Sequence, residues 1–329
     1  MDKRIAKITA VGHFLPDTVL SNKDLEKKVD TDDEWIRSRT GICERRILDD
    51  PDKATSYMAT ETAREILDNR GIDASEIDMV LVATVTPDYL FPATSCIVQK
   101  QIGANMAFSF DVLAACSGFL YALSTGAAYI EAGRAEKILV IGADKMSSII
   151  DFEDRSTCIL FGDAGAGVLL EASDDDYGIL DFKNYTEGDL NCSLCQPAGG
   201  SKNPASKTTV EQKMHFVKQD GRAVFKKAVH KMTDIVLEMM ERNELTSNDV
   251  TWLVPHQANK RIIDATMKRA NLSEDQVMIN IQRYGNTTAA TIPLCLYEWQ
   301  DKMKKGDQII LSAFGGGFTW GAAYLTWGL

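Results

Sequence analysis

The chain has 329 residues, of which 45% are hydrophobic and 25% charged, so it can bury a large core and exceeds the usual size of one domain. Its net charge of -11 argues against general binding to nucleic acid or to an anionic membrane surface. No apolar run approaches the ~18 residues of a membrane span and the first residues do not resemble a signal peptide, so we expect a cytoplasmic protein.

The first half of the chain alternates strand and helix signals, which is typical of an α/β protein. Strands are predicted at residues 7–11, 79–85, 108–112, 138–141 and 161–170. Helices are predicted at residues 22–29, 56–69, 95–102 and 118–130, and another opens at 31–35 with a cap followed by acidic residues. Residues 185–210 contain Gly-Gly and Asn-Pro pairs and are expected to form a long irregular insertion.

Cys116 lies between the strand predicted at 108–112 and the helix predicted at 118–130. A sharp turn there would hold the thiol at a helix end, where unpaired backbone N–H groups and the positive dipole pole favour an anion. Such an end stabilises an anion by up to ~2 kcal/mol, so we expect the thiol pKa to fall from ~8.5 toward ~7. Cys116 is therefore a candidate nucleophile. The alternative is a small buried hydrophobic residue, as most free cysteines are.

The second half of the chain repeats the first. Five residues recur 172 positions later: Ser75, Leu81, Val82, Ile138 and Leu139 reappear as Ser247, Leu253, Val254, Ile310 and Leu311. The order of predicted elements also repeats, so we expect two duplicated α/β halves, at residues 1–173 and 174–329, packed together as layers. In such a duplication the strand ends of both halves face one central cleft.

Three turns of the second half carry polar residues or glycines at strand ends. They are His256, directly after a strand; Asn286, at the start of a helix and after a strand predicted at 279–281; and Gly315, Gly316 and Gly317, after a strand predicted at 309–313. With Cys116 they supply a nucleophile, two neutral polar side chains and a backbone that can approach a reacting oxygen. Taken singly, each has a structural alternative, namely a loop histidine, a helix N-cap and a site of close packing.

The cysteines are odd in number and scattered, so all seven are expected to be free thiols: Cys43, Cys96, Cys116, Cys158, Cys192, Cys195 and Cys295. Cys192 and Cys195 have the spacing of metal and redox sites, but no second pair follows and the nearest histidine is His215. We therefore expect no metal site.

Four motifs carry a family resemblance: DVLAACSGF at 111–119, VPHQAN at 254–259, YGNTTAA at 284–290 and FGGGFTW at 314–320. Further matches are DTDDEWI at 30–36, RTGI at 39–42 and FGD at 161–163. Together they resemble the signatures of β-ketoacyl-acyl carrier protein synthase III, a family of thiolase-fold enzymes that start bacterial fatty acid synthesis. The resemblance runs from the first strand to the C-terminus and implies a layered αβαβα fold built from the two duplicated halves.

The resemblance also implies a reaction. A homodimeric, cytoplasmic enzyme would take an acyl group from acyl-coenzyme A onto Cys116 and condense it with malonyl-acyl carrier protein, with loss of carbon dioxide and without a cofactor. The backbone N–H groups of Cys116 and Gly316 would form the oxyanion hole, and His256 and Asn286 would donate hydrogen bonds to the enolate. Because a thiolate is expected, His256 is interpreted as an oxyanion stabiliser more than as a base, and His256→Ala is expected to leave acylation of Cys116 largely intact.

By the same resemblance, substrate-binding residues can be assigned. Coenzyme A would contact Thr31, Trp35, Arg39, Arg155 and Asn259, with adenine between Trp35 and Arg155, and the acyl pocket would contain Phe161 and Phe91, the latter inserted into the partner's pocket. The carrier protein would meet a basic surface that includes Lys226, Lys260 and Arg261. The alternatives are a core Trp35, a surface Arg155 and a solvated basic helix face. Phe91 favours a small primer, but residues 185–210 leave branched or medium-chain primers open.

Other activities remain possible from the sequence. A related condensing enzyme that makes a secondary metabolite, of polyketide or quinolone type, shares the Cys, His and Asn and is the main alternative. A degradative thiolase would need a second cysteine near the C-terminal glycines, and residues 314–318 contain none. A catalytically inactive scaffold is disfavoured because all three reactive positions are occupied.

Overall fold

The structure is a computed structural model and describes residues 4–329. The strands are β1 (Ile5–Phe14), β2 (Thr18–Ser21), β3 (Glu44–Ile47), β4 (Met79–Ala83), β5 (Phe108–Val112), β6 (Lys137–Asp144), β7 (Ala164–Ser173), β8 (Gly178–Thr186), β9 (Leu194–Cys195), β10 (Lys218–Gln219), β11 (Trp252–Pro255), β12 (Gln308–Gly315) and β13 (Thr319–Thr326). The α-helices are α1 (Asn22–Leu25), α2 (Asp33–Thr40), α3 (Thr55–Arg70), α4 (Thr94–Ile102), α5 (Gly118–Glu131), α6 (Arg155–Cys158), α7 (Lys207–Glu211), α8 (Gly221–Arg242), α9 (Lys260–Arg269), α10 (Ile281–Tyr284) and α11 (Thr291–Trp299).

The first-half sheet has the strand order β1-β7-β6-β4-β5. Strand β4 pairs in parallel with β5 and β6, and β7 pairs antiparallel with both β6 and β1. Every residue of β4 is buried, as expected for an inner parallel strand covered by helices on both faces. Strand β5, which leads to Cys116, is the edge of this sheet.

The second-half sheet has the order β11-β12-β13-β8 and therefore one strand fewer. The strand predicted at 279–281 is wrong, because α10 begins at Ile281 and only an isolated bridge joins Leu253 to Val277. The cause is the buried Gln257 side chain, whose Oε1 accepts hydrogen bonds from the backbone N–H groups of Asn280 (3.1 Å) and Ile281 (3.3 Å). These bonds turn an apolar segment into the first turn of a helix.

The two sheets are stacked with helices between and outside them. Helices α5 and α11 lie between the sheets, α3 and α4 cover the outer face of the first sheet, and α8 and α9 lie outside the second. Separate apolar clusters fill the central layer and the two outer layers. This is the five-layered αβαβα arrangement predicted from the sequence, and that prediction is confirmed.

Several local predictions are refined by the structure. The helix predicted at 56–69 is confirmed as α3, which ends at Gly71 with a φ of 70°. The strand predicted from residue 161 begins at Ala164, and the segment at 185–210 is not wholly irregular, since it contains the end of β8, the short β9 and the start of α7. Within residues 4–329, every helix is too short or too polar to cross a membrane.

The cysteines do not all behave as predicted. Cys192 and Cys195 form a disulfide, so the prediction of a free thiol is wrong for these two. Their three-residue spacing brings the two Cα atoms to 5.3 Å, within the range that a disulfide spans. The other five cysteines are free.

Candidate active site

Cys116 lies in a 3-10 turn, Ala115–Ser117, that connects the end of β5 to α5. The thiol-bearing residue is only 7% exposed. Gly315, the last residue of β12, packs directly on this turn: a Cβ atom at Gly315 would come within 2.7 Å of the Cys116 backbone nitrogen. Ser117 Oγ also donates a hydrogen bond to the Thr319 carbonyl oxygen at 3.0 Å. The turn that carries Cys116 in the first half is thus held by the β12–β13 hairpin of the second.

His256 directly follows β11, and its backbone N–H donates to the Ser312 carbonyl oxygen on β12 at 2.7 Å. The imidazole Nδ1 lies 2.7 Å from Thr291 Oγ1. The other ring nitrogen, Nε2, is buried without a hydrogen-bond partner among residues 4–329. Burial lowers the pKa of His256 to about 3, so the imidazole is neutral at physiological pH.

Asn286 is positioned by its own backbone and by the next turn. Its N–H donates to the Leu160 carbonyl oxygen at 2.8 Å, and its side-chain Oδ1 accepts from the Thr288 backbone N–H at 2.9 Å. The oxygen of the amide is therefore engaged, which leaves the NH₂ group to donate. The Asn286 side chain lowers the pKa of the Cys116 thiol and so favours the thiolate, against the larger effect of burial.

The ionisation of Cys116 differs from the sequence prediction. Burial raises the pKa of the thiol to about 12, the negative charge of Asp144 acts in the same direction, and the Cys116 backbone N–H and Asn286 oppose the rise. The increase from 9.0 corresponds to about 4 kcal/mol, twice the ~2 kcal/mol that a helix end contributes. The prediction of a pKa near 7 is therefore wrong, because desolvation outweighs the helix end, and the resting thiol is protonated.

Two cavities meet at the sulfur. The first, of about 840 Å³, contains Cys116, His256 and Asn286 on its wall and extends outward between α8, α9 and α2. The second, of about 430 Å³, is lined mainly by apolar side chains, including Val85, Met146, Ile149 and Val217. Three residues line both cavities, namely Cys116, Phe161 and Leu194. The three candidate catalytic side chains therefore share one cavity, as the sequence predicted.

The residues predicted to bind coenzyme A are only partly brought together. Trp35, Arg39 and Asn259 line the first cavity, whereas Thr31 and Arg155 do not. The Arg155 guanidinium lies over the Trp35 ring, 5.0 Å from its centroid, and donates a hydrogen bond to the Asp30 carbonyl oxygen at 2.7 Å. The two halves of the predicted adenine sandwich thus stack on each other.

The remaining predicted residues are dispersed. Lys226 and Arg261 line the outer part of the first cavity, while Lys260 lies outside it and pairs with Asp264 at 2.7 Å. Phe161 lines both cavities, but Phe91 is 86% exposed and lines neither cavity of its own chain. From the segment at 185–210, Leu194, Cys195 and Gln196 line the second cavity.

Sequence reasoning missed several residues of this site. Leu194 lines both cavities, Phe225 lines the first and stacks under the Arg261 guanidinium at 4.8 Å, and Thr291 contacts the histidine. Thr291 follows directly after the YGNTTAA motif, which could have drawn attention to it. The first two carry no signal beyond being apolar. Among residues 4–329, no group of three or more His, Cys, Asp or Glu side chains is arranged to hold a metal ion.

Comparison with known proteins agrees with this geometry. A family model described as 3-oxoacyl-[acyl-carrier-protein] synthase III matches residues 110–188, and the model of the C-terminal part of the same family matches residues 240–327. The β-ketoacyl-[acyl-carrier-protein] synthase III of Chlorobaculum tepidum is 56% identical over 327 residues, which cover 98% of this chain and 99% of the relative.

Solved structures give the same result. The 3-oxoacyl-[acyl-carrier-protein] synthase III of Aquifex aeolicus superimposes with a TM-score of 0.90 at 43% identity and covers 98% of this chain and 100% of its own. The priming β-ketosynthase of the R1128 polyketide pathway superimposes with a TM-score of 0.91 at 32% identity, covering 99% of this chain and 97% of its own. The chain therefore belongs to the β-ketoacyl-[acyl-carrier-protein] synthase III family of acyl-transferring condensing enzymes.

Proposed function

We propose that the protein transfers an acyl group from acyl-coenzyme A to Cys116 and condenses it with malonyl-acyl carrier protein to begin fatty acid synthesis. The observation that carries this proposal is the meeting of Cys116, His256 and Asn286 at the junction of two cavities. The polar-rimmed first cavity suits the entering thioester arm, and the apolar second cavity suits an acyl chain. The 56% identity to a relative named β-ketoacyl-[acyl-carrier-protein] synthase III favours a role in fatty acid synthesis over the synthesis of a secondary metabolite.

The first half-reaction requires the thiol to lose its proton. Sγ of Cys116 attacks the thioester carbonyl carbon, and the neutral His256, whose Nε2 has no protein partner, accepts the thiol proton. Coenzyme A leaves as its thiol after taking that proton back. The backbone N–H groups of Cys116 and Gly316 stabilise the tetrahedral oxyanion. This sequence of steps replaces the expectation that His256 is dispensable for acylation, because that expectation depended on a preformed thiolate.

The second half-reaction requires donors for an enolate. Loss of carbon dioxide from the malonyl group leaves an enolate oxygen, which accepts hydrogen bonds from the Asn286 amide and from His256 Nε2–H. In the structure the Thr291 hydroxyl donates to the Thr288 carbonyl oxygen and therefore accepts from His256 Nδ1–H; for this second role the hydroxyl must rotate and donate to Nδ1 instead. The enolate carbon then attacks the acyl carbon and expels the Cys116 thiolate, which takes a proton from solvent to restore the resting thiol.

Coenzyme A is proposed to occupy the first cavity. Its adenine would stack on Trp35 after Arg155 leaves the indole face, and Arg39 and Asn259 would contact the rest of the nucleotide. The contact of Thr31 with coenzyme A stays a prediction, since Thr31 does not line this cavity. Neither Arg222 nor Lys226, at the outer part of the cavity, forms an ion pair with any acidic side chain of those residues, so both are available for phosphate.

The carrier protein is proposed to dock at the same opening. Lys226 and Arg261 flank the first cavity and present positive charge on a chain of net charge -11, which suits an acidic partner carrying a phosphopantetheine arm. Lys260 contributes less, because Asp264 already neutralises it.

A homodimer is supported by the surface around β5. This edge strand has an exposed Phe108, and the adjoining Leu113, Leu90 and Phe91 are exposed large apolar residues, a combination that natural proteins cover. Leu113 is 78% exposed and also lines the second cavity, so that cavity opens onto the same surface. A second copy paired along β5 would close it, with Phe91 of one protomer reaching the acyl pocket of the other.

The proposed function is tested by incubating the purified protein with malonyl-acyl carrier protein and acetyl-, isobutyryl- or octanoyl-coenzyme A, and measuring carbon dioxide release. We expect release that depends on the primer and is absent in Cys116→Ala. Release that proceeds equally without a primer, or no release with any of the three, would contradict the proposal. The preferred chain length also distinguishes a small-primer enzyme from one that accepts branched or medium-length chains.

A further inference from the structure

Asp144, the last residue of β6, is a fully buried carboxylate close to the catalytic residues. Its Oδ1 accepts hydrogen bonds from Thr84 Oγ1 (2.9 Å), from the backbone N–H groups of Val85 (2.7 Å) and Thr86 (3.1 Å), and from Thr86 Oγ1 (3.0 Å). Its Oδ2 accepts from the Thr288 hydroxyl. No basic side chain is among these partners. A buried acid held only by neutral donors is costly to desolvate, so its retention calls for a specific role.

Thr288 connects this carboxylate to both catalytic side chains of the second half. Its backbone N–H donates to Asn286 Oδ1 at 2.9 Å, which fixes the direction of the amide NH₂. Its carbonyl oxygen lies 3.0 Å from Thr291 Oγ1, the hydroxyl that contacts His256 Nδ1 at 2.7 Å. Thr288 therefore contacts Asn286 directly through its N–H, and it is linked to His256 through its C=O and the Thr291 hydroxyl.

The backbone of Thr288 is unusual. Its φ of 51° is in the left-handed region, which β-branched residues rarely occupy because their side chains clash there with the backbone. A conformation of this kind is unfavourable for a β-branched residue and persists when the surrounding structure imposes it. The hydroxyl bond to Asp144 is the contact that ties this strained residue to the first-half sheet.

We propose that Asp144 and Thr288 are positioning residues that hold the Asn286 amide and the His256 imidazole in register with Cys116. Asp144 belongs to the half that carries the nucleophile, and Thr288 to the half that carries the two donors. Their contact sets the distance and orientation between the halves at the reacting atoms. The proposal deepens the proposed function and, for its kinetic consequences, rests on it.

The test compares Thr288→Val with Thr288→Ser. Valine keeps the shape but removes the hydroxyl, whereas serine keeps the hydroxyl. We expect Thr288→Val to lower the kcat of condensation by about 10- to 100-fold, the usual effect of a misplaced donor, with the KM for acyl-coenzyme A unchanged. Thr288→Ser should recover most of the loss. A folded Thr288→Val variant with the kcat of the unmodified protein, or a Thr288→Ser variant no better than Thr288→Val, would overturn the proposal.

A matched pair of buried acids separates positioning from general destabilisation. Asp144→Asn should reproduce the loss in kcat. Asp163→Asn removes an equally buried carboxylate, which accepts from the Ser147 hydroxyl and from the backbone N–H of Leu48, and should lower the melting temperature without a comparable loss in kcat. Equal losses of kcat in the two variants would contradict the proposal, because the effect would then be one of stability.

A substrate-independent measurement keeps the proposal distinct from the proposed function. Alkylation of Cys116 by iodoacetamide, followed by intact mass, needs neither primer nor carrier protein. We expect slower alkylation in Thr288→Val than in Thr288→Ser, because the Thr288 N–H then holds the Asn286 amide, which favours the thiolate, less firmly in place. If the unmodified protein releases no carbon dioxide, the proposed reaction fails while this comparison still tests the positioning. Equal alkylation rates in Thr288→Val and Thr288→Ser would contradict the proposed positioning role of Asp144 and Thr288.

Discussion

The two halves of the molecule use the same local geometry for opposite chemical purposes. In the first half a 3-10 turn, Ala115–Ser117, leads into α5, and in the second half a 3-10 turn, Thr288–Ala290, leads into α11. Each turn has a residue with positive φ, 48° at Ala115 and 51° at Thr288. The first turn carries the proposed nucleophile, Cys116, and the second is preceded by the proposed hydrogen-bond donor, Asn286. Duplication has thus produced complementary partners at one cavity.

The halves differ in what precedes these turns. In the first half an edge strand, β5, runs up to the nucleophile turn, and in the second half the corresponding segment is α10. Without a fifth strand, Asn286 is free to pair with the first half through an isolated bridge to Phe161. The second half thus has one strand fewer, and Asn286 lies instead against the first half, in the cavity that also contains Cys116.

The largest expected effects come from removing the Cys116 thiol of the first half or the Asn286 amide of the second. Cys116→Ala should abolish both the acyl adduct and condensation. Asn286→Ala should still form the adduct but lower condensation about 10²- to 10³-fold, because one enolate donor is lost. Intact mass and carbon dioxide release measure the two steps. Cys295→Ala, at a buried free cysteine of the second half, is the control and should retain both. A missing adduct in Asn286→Ala would break the assignment of separate roles to the two halves.

His256 tests whether the first half can activate its own nucleophile. Because burial raises the pKa of the Cys116 thiol, we expect His256→Ala to slow acylation at pH 7 by about 10²-fold or more, the usual contribution of a general base. The deficit should shrink as the pH rises and the thiol ionises without help. An adduct formed at the unmodified rate at pH 7 would instead show that the helix end of the first half is sufficient.

The buried imidazole also predicts a pH dependence of folding. Its pKa is about 3 in the folded protein and 6.5 when exposed, so the unfolded state binds more protons between these values and stability falls as the pH drops from 6.5 toward 3. This one group contributes a loss of about 5 kcal/mol over that interval. Chemical unfolding at several pH values measures the free energy of unfolding, which should decrease less between pH 6.5 and 3 in His256→Gln than in the unmodified protein. His230→Gln, at an exposed histidine, is the matched control and should show the same decrease in the free energy of unfolding as the unmodified protein.

The smallest expected effect concerns the outer surface of the second half. Lys226→Ala should raise the KM for malonyl-acyl carrier protein about threefold to tenfold at low salt and leave the KM for acyl-coenzyme A nearly unchanged, since a charge at the rim of an interface mainly affects association. Lys100→Ala, at an exposed lysine on α4 of the first half, should have no such effect. Equal effects of the two substitutions on this KM would contradict the proposal that the carrier protein docks on the outer surface of the second half.

Much of this site could be read from the sequence because its signals are local. The apolar run of β4, the helix of α3 with Gly71 at its end, and the position of His256 directly after a strand all depend on neighbouring residues. The partner of His256 and the wall residue Leu194 could not be read in this way, because Thr291 and Leu194 are ordinary residues until the chain folds. The division at residue 173 remains a prediction.

By itself, the sequence determined the reactive residue types, the turns that carry them and the family to which they belong, since each is encoded in a few adjacent residues. The tertiary structure alone decided the protonation of Cys116, the absence of a fifth strand in the second half and the link from Asp144 to Thr288. Each of these depends on groups brought together from distant parts of the chain. Burial and hydrogen bonding across the two halves then outweigh what any local segment favours.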